Sequence, residues 1–330
     1  MNPILSVVMP TYNGERFVAT ALTSIRRQHS AGIEVIVIDD GSSDRTLDIV
    51  CEFTKAFPIR LITLGRIGNW MAVSNIGLRE AQGEWACFLH QDDTWLHDRM
   101  LEITNAIEDF PGQLIVSSAK YITPNGEVLG SWTCPLAGGL IDSHSFIERL
   151  LVQNFLAVSS PVFRRQAAIE SGGLDESLWF TADWDFWLRL GAISPVLCIP
   201  KALAGFGIHS GSQTAARPLQ ENEWHEQLTT VFDRHFPKWS ATSEIASDVY
   251  RVAVASINVN LVLAHRSRGE SARFTPVIRE LLALGPSGWH RYLRDSRIVE
   301  RLWARLKARR SERVNGTKNP RSTSAEINDR

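Results

Sequence analysis

Four short apolar runs, each ending in a cluster of polar residues, constrain the fold of this chain more than any other feature. The runs lie at residues 4–9, 34–38, 59–64 and 85–89, and each is followed by apolar residues at helical spacing. Strands that alternate with helices form parallel sheets with right-handed crossovers. The sequence therefore predicts an α/β fold in which the four polar clusters share the carboxyl edge of one sheet, where open α/β sheets bind ligands.

The pattern changes twice along the chain. The Asn125-Gly126 pair is a hairpin signal, so the sheet is expected to become mixed from about residue 110. From residue 219 onward, strand signals give way to helical ones. We therefore expect a mixed, mainly parallel α/β domain over residues 1–215, a helical region over 216–310 and a disordered polar tail over 311–330.

The net charge of −1 hides an uneven distribution of charge. Residues 289–330 contain twelve Lys or Arg and five Asp or Glu, so the rest of the chain is acidic. An acidic body argues against nucleic acid as a partner. A basic amphipathic helix is predicted over residues 288–310, which either packs on the domain with a solvated basic face or makes a peripheral contact with an anionic membrane.

Cysteine usage and hydropathy indicate the compartment. Cys51, Cys87, Cys134 and Cys198 form no CxxC pair and lie mostly in apolar runs, which is typical of reduced thiols in the cytosol. The first residues carry no charged leader, and no run of eighteen apolar residues occurs. We expect a cytoplasmic protein without a membrane span, with peripheral attachment to the inner face of the membrane as an addition left open.

The fourth polar cluster carries the strongest chemical signal. His90, Gln91, Asp92 and Asp93 follow the run at residues 85–89. Adjacent carboxylates repel unless a cation or hydrogen-bond donors compensate them, so a divalent metal beside an anionic ligand is one interpretation. The other is that Asp92 or Asp93 caps the helix that follows. No Gly-rich phosphate loop follows the first run, which argues against a nicotinamide or Walker-type site.

Four motifs, taken in order, resemble those of the family 2 glycosyltransferases, which have the GT-A fold. They are Ser6 to Gly14 (SVVMPTYNG), Val35 to Asp44 (VIVIDDGSSD), Asn75 to Gly77 (NIG) and Phe88 to Asp93 (FLHQDD). The resemblance covers about two thirds of the chain, to residue 215. It implies inverting transfer of a sugar from a nucleotide-diphosphate sugar donor to a hydroxyl of a glycan or lipid-linked acceptor. The implied setting is the assembly of a bacterial surface polysaccharide or glycolipid.

The resemblance also implies which residues bind the donor. Asp40 matches the position that contacts the base, and Asp92 matches a ligand of Mg²⁺ or Mn²⁺, with Asp93 beside it. His209 resembles a late histidine of the family that reaches the metal or the diphosphate. His90 stands where the family usually has the first carboxylate of its Asp-x-Asp motif, and imidazole suits Mn²⁺ better than Mg²⁺. The expected donor contacts are Pro10, Thr11, Tyr12, Asn13, Asp39, Asp40, His90, Gln91 and Asp92.

An inverting transfer needs a base that removes the proton of the acceptor hydroxyl as it attacks. The resemblance assigns this role to Asp183, at the start of a helix, where Ala182 replaces the acidic neighbour that the family commonly has. The simpler interpretation is that Asp183 caps the helix. Asp185 is the reserve candidate, and Trp179 is a candidate for stacking on an acceptor sugar.

Two other functions stay open. Because His90 and Ala182 stand where carboxylates are usual, the chain could bind a nucleotide sugar without transferring the sugar. A nucleotidyltransferase can share the sheet topology, but it would be expected to carry a Gly-rich, basic loop after the first strand, which this sequence lacks. The sequence does not specify the donor sugar, the base, the acceptor or the oligomeric state.

Overall fold

The computed structural model describes residues 3–28, 32–209, 211–212, 221–267 and 274–317. Its central strand is β1 (Leu5–Thr11), in which every residue is buried. β2 (Ile33–Asp39) and β4 (Trp85–Phe88) pair with β1 on either side, both parallel to it, and β3 (Ile59–Thr63) pairs parallel with β2. These four strands therefore end at the same edge of the sheet, as the sequence predicts.

The sheet becomes mixed beyond β4, which confirms the predicted change of pattern. β9 (Val162–Arg164) lies antiparallel between β4 and β6 (Leu114–Ile122), and β6 pairs parallel with the long strand β10 (Val196–Gly207). Three short strands pair antiparallel with these: β5 (Thr94–Trp95) and β8 (Gly139–Ile141) with β10, and β7 (Val128–Trp132) with β6 across the predicted hairpin. Through the described residues the main order is β3-β2-β1-β4-β9-β6-β10-β5.

Helices cover both faces of the sheet and continue beyond it. Alternation along β1 sends Leu5, Val7 and Met9 to one hydrophobic core and Val8 to the other. The helices are α1 (Val18–Arg26), α2 (Thr46–Thr54), α3 (Trp70–Glu80), α4 (Arg99–Ile107), α5 (Ser143–Val152), α6 (Arg165–Glu170), α7 (Ala182–Gly191), α8 (Glu221–Ser240), α9 (Ala246–Ser267), α10 (Phe274–Ala283), α11 (Gly285–Ser296) and α12 (Ile298–Thr317).

The residues after Asp93 do not open a helix, which corrects one expectation. Residues 94–95 form β5, paired with β10, and α4 begins only at Arg99. This pairing buries the ring of Trp95, which is 4% exposed. Neither Asp92 nor Asp93 therefore caps a helix, and the capping interpretation of this pair is wrong.

The C-terminal region also differs from its prediction. Instead of one helix over residues 288–310 there are two, α11 and α12, separated by Arg297, whose φ of 48° and ψ of 33° are left-handed. A left-handed residue ends a helix because it breaks the repeating backbone geometry. α12 continues to Thr317, past the predicted limit of 310. The predicted boundary at 215 and residues 318–330 of the predicted tail lie outside the described residues.

Several helices of the C-terminal region contact the sheet domain: α8, α9 and α11 pack against α5, and α8 also packs against α7. α9 also packs against α8 and α11, and α12 lies against β7. Across the described part of the chain, no helix combines the length and the apolar character that a membrane span requires.

One fully buried carboxylate joins α8 to α7. Asp185 on α7 accepts hydrogen bonds from Arg189 Nε at 2.8 Å, from Arg234 Nη1 at 2.9 Å and from His235 Nε2 at 2.8 Å. Burial favours the neutral acid, but the hydrogen bond from His235 and the charge of Arg189 outweigh it and lower the pKa of Asp185 to about 2. The folded state therefore favours the charged carboxylate, and Asp185 stabilises the fold.

Asp185→Asn is expected to lower the free energy of unfolding by about 2 kcal/mol at pH 7, because one unit of pKa shift corresponds to about 1.4 kcal/mol. A carboxylate with a lowered pKa contributes fully above its unfolded pKa of about 4, and the contribution is lost as the pH falls toward 2. Urea unfolding should show the difference from wild type shrinking below about pH 4. Asp233→Asn, at an exposed position of the same helix α8, is the control. A difference that does not change with pH would contradict this assignment.

α3 approaches the sheet closely at Gly77, the glycine of the NIG motif. A Cβ at this position would lie 2.4 Å from Ile38 Cδ1 and 2.5 Å from Val8 Cγ1, and both side chains are fully buried. Asn75 of the same motif forms side-chain hydrogen bonds with the backbone of a distant loop. Its side-chain Nδ2 donates to the Leu174 carbonyl at 2.9 Å, and its Oδ1 accepts from the Leu174 N–H at 2.8 Å, which fixes the loop that leads to α7.

Gly77→Ala is expected to lower the free energy of unfolding by about 1–3 kcal/mol, because overpacking of the core outweighs the gain of about 1 kcal/mol in helix propensity. Thermal unfolding would measure the change. Gly65→Ala is the matched control, because a Cβ there would meet no atom within 4 Å. A Gly77→Ala variant more stable than wild type would show that the close approach is not restrictive.

Candidate active site

The first, second and fourth polar clusters are tied together by hydrogen bonds at the carboxyl edge of the sheet. Thr11 Oγ1 donates to Asp39 Oδ1 at 3.0 Å. The backbone N–H of Tyr12 donates to Gln91 Oε1 at 2.9 Å, and Gln91 Nε2 donates to the Tyr12 carbonyl at 3.0 Å. The loop after β1 is therefore fastened to the loops after β2 and β4. The Gln91 side chain links the loop after β1 to the loop after β4.

Asn13 and Pro10 have structural roles in this arrangement. The backbone N–H of Asn13 donates to Ser42 Oγ at 2.9 Å, and Asn13 Oδ1 accepts from the Ser43 N–H at 2.9 Å. Asn13 has a φ of 44°, a left-handed value that asparagine tolerates better than most residues. Pro10 is buried in β1 opposite Ile38. Both residues shape the loop that presents Tyr12.

The two aspartates after β2 are buried and face different loops. Asp39 accepts hydrogen bonds from the Ser42 N–H at 2.8 Å and from Ser42 Oγ at 2.6 Å, in addition to the one from Thr11. Asp40 turns toward the loop after β3, where it accepts from the Ile67 N–H at 2.6 Å and the Gly68 N–H at 3.0 Å and pairs with Arg66. Asp40 thereby joins the third cluster to the other three.

Arg66 is a site residue that the sequence interpretation passed over. Its guanidinium carbon lies 3.5 Å from the centroid of the Tyr12 ring, the distance at which a planar base would stack. The side chain is 43% exposed and pairs with the buried Asp40. In the sequence, the indication of its role was that Arg66 is a cation in a loop already predicted to reach the site. Arg66 therefore joins the Tyr12 ring to the Asp40 carboxylate.

Asp92 and His209 meet although 117 positions separate them in the sequence. His209 Nε2 lies 3.0 Å from Asp92 Oδ2, and Phe17 stacks on the histidine ring with the ring centroids 4.4 Å apart. Burial raises the pKa of Asp92, but the hydrogen bond from His209 and the charge of His90 outweigh it, so the pKa is lowered. The structure thus brings together two of the three expected metal ligands.

A divalent metal fits this pair only with help from a ligand. A carboxylate and an imidazole form a donor set that Mn²⁺ accepts. Within the ranges that the structure describes, no group of three or more His, Cys, Asp or Glu side chains is arranged to hold a metal. The remaining coordination positions would have to come from water or from an anionic ligand such as a diphosphate.

Asp93 does not share the surroundings of Asp92. It is 1% exposed, accepts from the Gly207 N–H at 2.9 Å and bonds the Ser159 hydroxyl with its other oxygen. Burial, and then the nearby charge of Asp92, raise its pKa well above the usual range. With both oxygens occupied inside the protein, Asp93 is an anchor for its loop, and its expected role as a metal ligand is not favoured.

His90 differs from its neighbours in having a buried, unpaired ring nitrogen. Its Nε2 is buried and has no hydrogen-bond partner among the described residues. Burial lowers the pKa of His90, which favours the neutral ring. The ring meets Trp70 edge to face with the centroids 5.0 Å apart, and Trp70 Nε1 donates to the Trp179 carbonyl at 2.9 Å. Trp70 therefore links the donor loops to the segment that precedes α7.

Asp183 lies in the first turn of α7, next to this segment. Asn154 Nδ2 donates to its Oδ2 at 2.9 Å, and the Trp184 N–H donates to its Oδ1 at 2.8 Å. Burial raises the pKa of Asp183 to about 6, even though these hydrogen bonds act in the opposite direction. The residue before the helix is Thr181, so Asp183 is not the N-cap, although it does bond one of the free N–H groups of the first turn.

Three other residues near Asp183 have different roles. Asn154 was missed by the sequence interpretation, because an isolated asparagine far along the chain gives no signal. Asp185, the reserve candidate, is fully occupied by its cations and is not available as a base. Trp179 is partly buried and packs edge to face on Trp224 with the centroids 6.2 Å apart. Its predicted contact with an acceptor sugar stays a prediction.

The cysteines agree with the expectation of reduced thiols. All four are free, and Cys134 Sγ and Cys198 Sγ lie 3.9 Å apart in the core. Burial raises the pKa of the Cys87 thiol to about 11. Cys87 therefore behaves as a small apolar residue of the strand below the site.

Known sequences with similar motifs support this description. Residues 6–133 match the model of the family described as Glycosyl transferase family 2. An uncharacterised glycosyltransferase of Haemophilus influenzae is 29% identical over 189 residues, which is 57% of this chain and 62% of that protein. WfgD of Escherichia coli, a UDP-Glc:α-D-GlcNAc-diphosphoundecaprenol β-1,3-glucosyltransferase, is 29% identical over 128 residues, 39% of this chain and 47% of that protein. The matches span less than two thirds of the length of either relative.

Solved structures show the same fold. TarS 1–349 of S. aureus, in complex with UDP-GlcNAc, superposes with a TM-score of 0.63 at 17% identity, covering 98% of this chain and 94% of that one. The mannosyltransferase PcManGT of Pyrobaculum calidifontis, in complex with GDP-Man and Mn²⁺, gives 0.53 at 15% identity, covering 93% and 87%. This likeness confirms the GT-A fold. Within residues 6–133, the sequence also resembles glycosyl transferase family 2.

Proposed function

We propose that this chain transfers a sugar, with inversion, from a nucleotide-diphosphate sugar to the hydroxyl of a glycan or lipid-linked acceptor. The observation that carries the proposal is Asp183, a partly buried carboxylate with a pKa of about 6, joined through the Trp179 segment and Trp70 to the loops of the donor site. Such a group is charged at neutral pH and still basic enough to take a proton.

The proposed donor site is the edge formed by the four loops. The Arg66 guanidinium stacked on the Tyr12 ring is the proposed contact for the base, while Asp39 and Asp40 bring negative charge near the ribose or the base. The unpaired Nε2 of His90 is suited to a hydrogen bond with a donor oxygen. Solved proteins with this fold bind UDP-GlcNAc and GDP-Man, which supports a nucleotide-diphosphate sugar as the donor class.

In the proposed reaction, the carboxylate of Asp183 accepts the proton of the acceptor hydroxyl while the oxygen attacks the anomeric carbon. Attack from the face opposite the leaving diphosphate inverts the configuration at that carbon. Asn154 holds the Asp183 carboxylate in place with a hydrogen bond to Oδ2. The enzyme forms no covalent bond to the sugar, so its contribution is positioning and proton removal.

The proposal includes a divalent metal, Mn²⁺ rather than Mg²⁺ because one ligand is an imidazole. Asp92 and His209 would hold it, and the ion would neutralise charge on the leaving diphosphate. Asp93 supports this pair indirectly, because its hydrogen bond with the Gly207 N–H holds the end of β10 against the loop that carries Asp92.

The proposed setting is the inner face of the cytoplasmic membrane, in the assembly of a surface polysaccharide or glycolipid. WfgD is named for an acceptor carried on diphosphoundecaprenol, a membrane lipid, and the amylovoran biosynthesis protein AmsB of Erwinia amylovora is 29% identical over 193 residues. The competing function is binding of a nucleotide sugar without transfer, and the variants below separate the two.

Asp183→Asn is expected to lower kcat about 10²–10⁴-fold while the affinity for the donor is preserved, because only proton removal is lost. Wild-type kcat/KM should rise tenfold per pH unit up to about pH 6 and then level, as Asp183 becomes ionised. Asn154→Ala removes a hydrogen bond that favours the carboxylate, so the inflection should move to higher pH. Asp48→Asn, at an exposed position on α2, is the control. Donor binding with no transfer in wild type, across a panel of acceptors, would favour the binding protein.

Thermal stabilisation by UDP, GDP, dTDP and CMP, each with Mn²⁺, Mg²⁺ or EDTA, tests the metal and identifies the base. One diphosphate should stabilise the wild type in the presence of Mn²⁺, and EDTA should remove most of the shift. Asp92→Asn and His209→Ala should each weaken the effect of the metal at least about tenfold in apparent Kd, since each removes one of two proposed protein ligands. An equal shift in EDTA would contradict the metal role of this pair.

A further inference from the structure

α12 has two faces of different character. Ala304 and Ala308 are buried and pack with Tyr121 and Leu129. The opposite side carries four large apolar side chains in the i, i+3, i+4, i+7 pattern that places residues on one helical face. They are Val299 (69% exposed), Leu302 (37%), Trp303 (56%) and Leu306 (52%). We call these four residues the apolar stripe.

Cations border the apolar stripe. Arg305, Lys307 and Arg310 are exposed on α12, and Lys307 Nζ lies 5.6 Å from the centroid of the Trp303 ring. Residues 298–311 contain five Lys or Arg and a single acidic residue, Glu300. Glu300 is itself engaged, since it pairs with Arg297 and accepts the Thr133 N–H at 3.1 Å. The exposed side of α12 is therefore apolar along its centre and positive around it.

α12 contacts two segments that lead to the proposed active site. Phe206 at the end of β10 and Ile208 just after it pack against the cluster that contains Ala304 and Ala308 of α12. Arg301 Nη1 donates to Gln153 Oε1 at 3.0 Å, and Gln153 is the neighbour of Asn154, the partner of Asp183. The apolar stripe is thus held in a fixed relation to both the donor end and the base end of the site.

We propose that the apolar stripe of α12 docks this protein on an anionic lipid bilayer. An apolar stripe with Trp and bordering Lys and Arg is the composition of helices that lie in the membrane interface. Positive borders complement the negative surface of the cytoplasmic leaflet. They oppose pairing with a second copy through the same stripe, because two copies would bring like charges together. The inference rests on the proposed lipid-linked acceptor, which such docking would bring to the rim beside Asp183.

The test is flotation of the purified protein with vesicles of phosphatidylcholine alone or of phosphatidylcholine with phosphatidylglycerol. Wild type should float with the anionic vesicles and remain largely unbound with the neutral ones. Leu302→Ser/Trp303→Ser/Leu306→Ser should lower partitioning at least about tenfold, through loss of apolar contact. Lys307→Glu/Arg310→Glu should lower it about tenfold or more on anionic vesicles, through loss of charge attraction.

The matched control is Leu101→Ser/Ile193→Ser, which removes two apolar side chains of similar exposure, 61% and 53%, from other parts of the surface. It should float like wild type. Wild type that stays unbound with both kinds of vesicle, or a control that loses binding as the stripe variant does, would overturn the proposal. So would a wild-type dimer, seen by sedimentation, that the stripe substitutions convert to a monomer.

Membrane docking and sugar transfer can fail separately in this design. Stabilisation by a nucleotide diphosphate and Mn²⁺ is measured without vesicles, so the stripe variants should retain it in full. Loss of flotation with intact donor binding locates the defect in α12. If wild type floats with the anionic vesicles but is not stabilised by any nucleotide diphosphate, the result would contradict the proposed function and support the docking surface.

Discussion

The hydrogen bond from the Gly207 backbone to Asp93 is the contact on which the candidate site depends. It joins the end of β10 to the loop after β4, two segments that belong to different halves of the sheet. The approach is so close that a Cβ on residue 207 would lie 2.3 Å from the Asp92 carbonyl oxygen. Glycine is therefore required at this position. Because the two segments are locked together here, Asp92 and His209 can meet.

Aspartates that are close in the sequence have different pKa values in this protein. Asp92 faces the site and its pKa is lowered, whereas Asp93 faces the core and its pKa is raised. On α7, burial raises the pKa of Asp183, whereas Asp185 is held ionised by His235 and Arg189. In both pairs the surroundings on each side of the backbone, rather than the residue type, decide the chemistry.

Local patterns predicted the parallel strands and the convergence of their loops, because each strand–loop–helix unit is encoded within a short stretch of sequence. The GT-A fold was implied by the resemblance of four motifs to a known family. The sequence did not separate Asp92 from Asp93, since that distinction depends on Ser159 and Gly207, which are distant in the chain. Arg66 and Asn154 escaped notice for the same reason: single polar residues acquire a role only through contacts made by folding. The break at Arg297 was missed because arginine rarely adopts a left-handed conformation.

Gln153 and Asn154 form one short connection between two functions. Gln153 accepts a hydrogen bond from Arg301 of α12, and Asn154 donates one to Asp183. A single peptide unit lies between these two side chains, so a rotation of that unit moves both amides. α12 is thus connected through two adjacent residues to the carboxylate that is proposed to remove the acceptor proton. The proposed docking helix and the proposed base are therefore joined by two hydrogen bonds through adjacent residues.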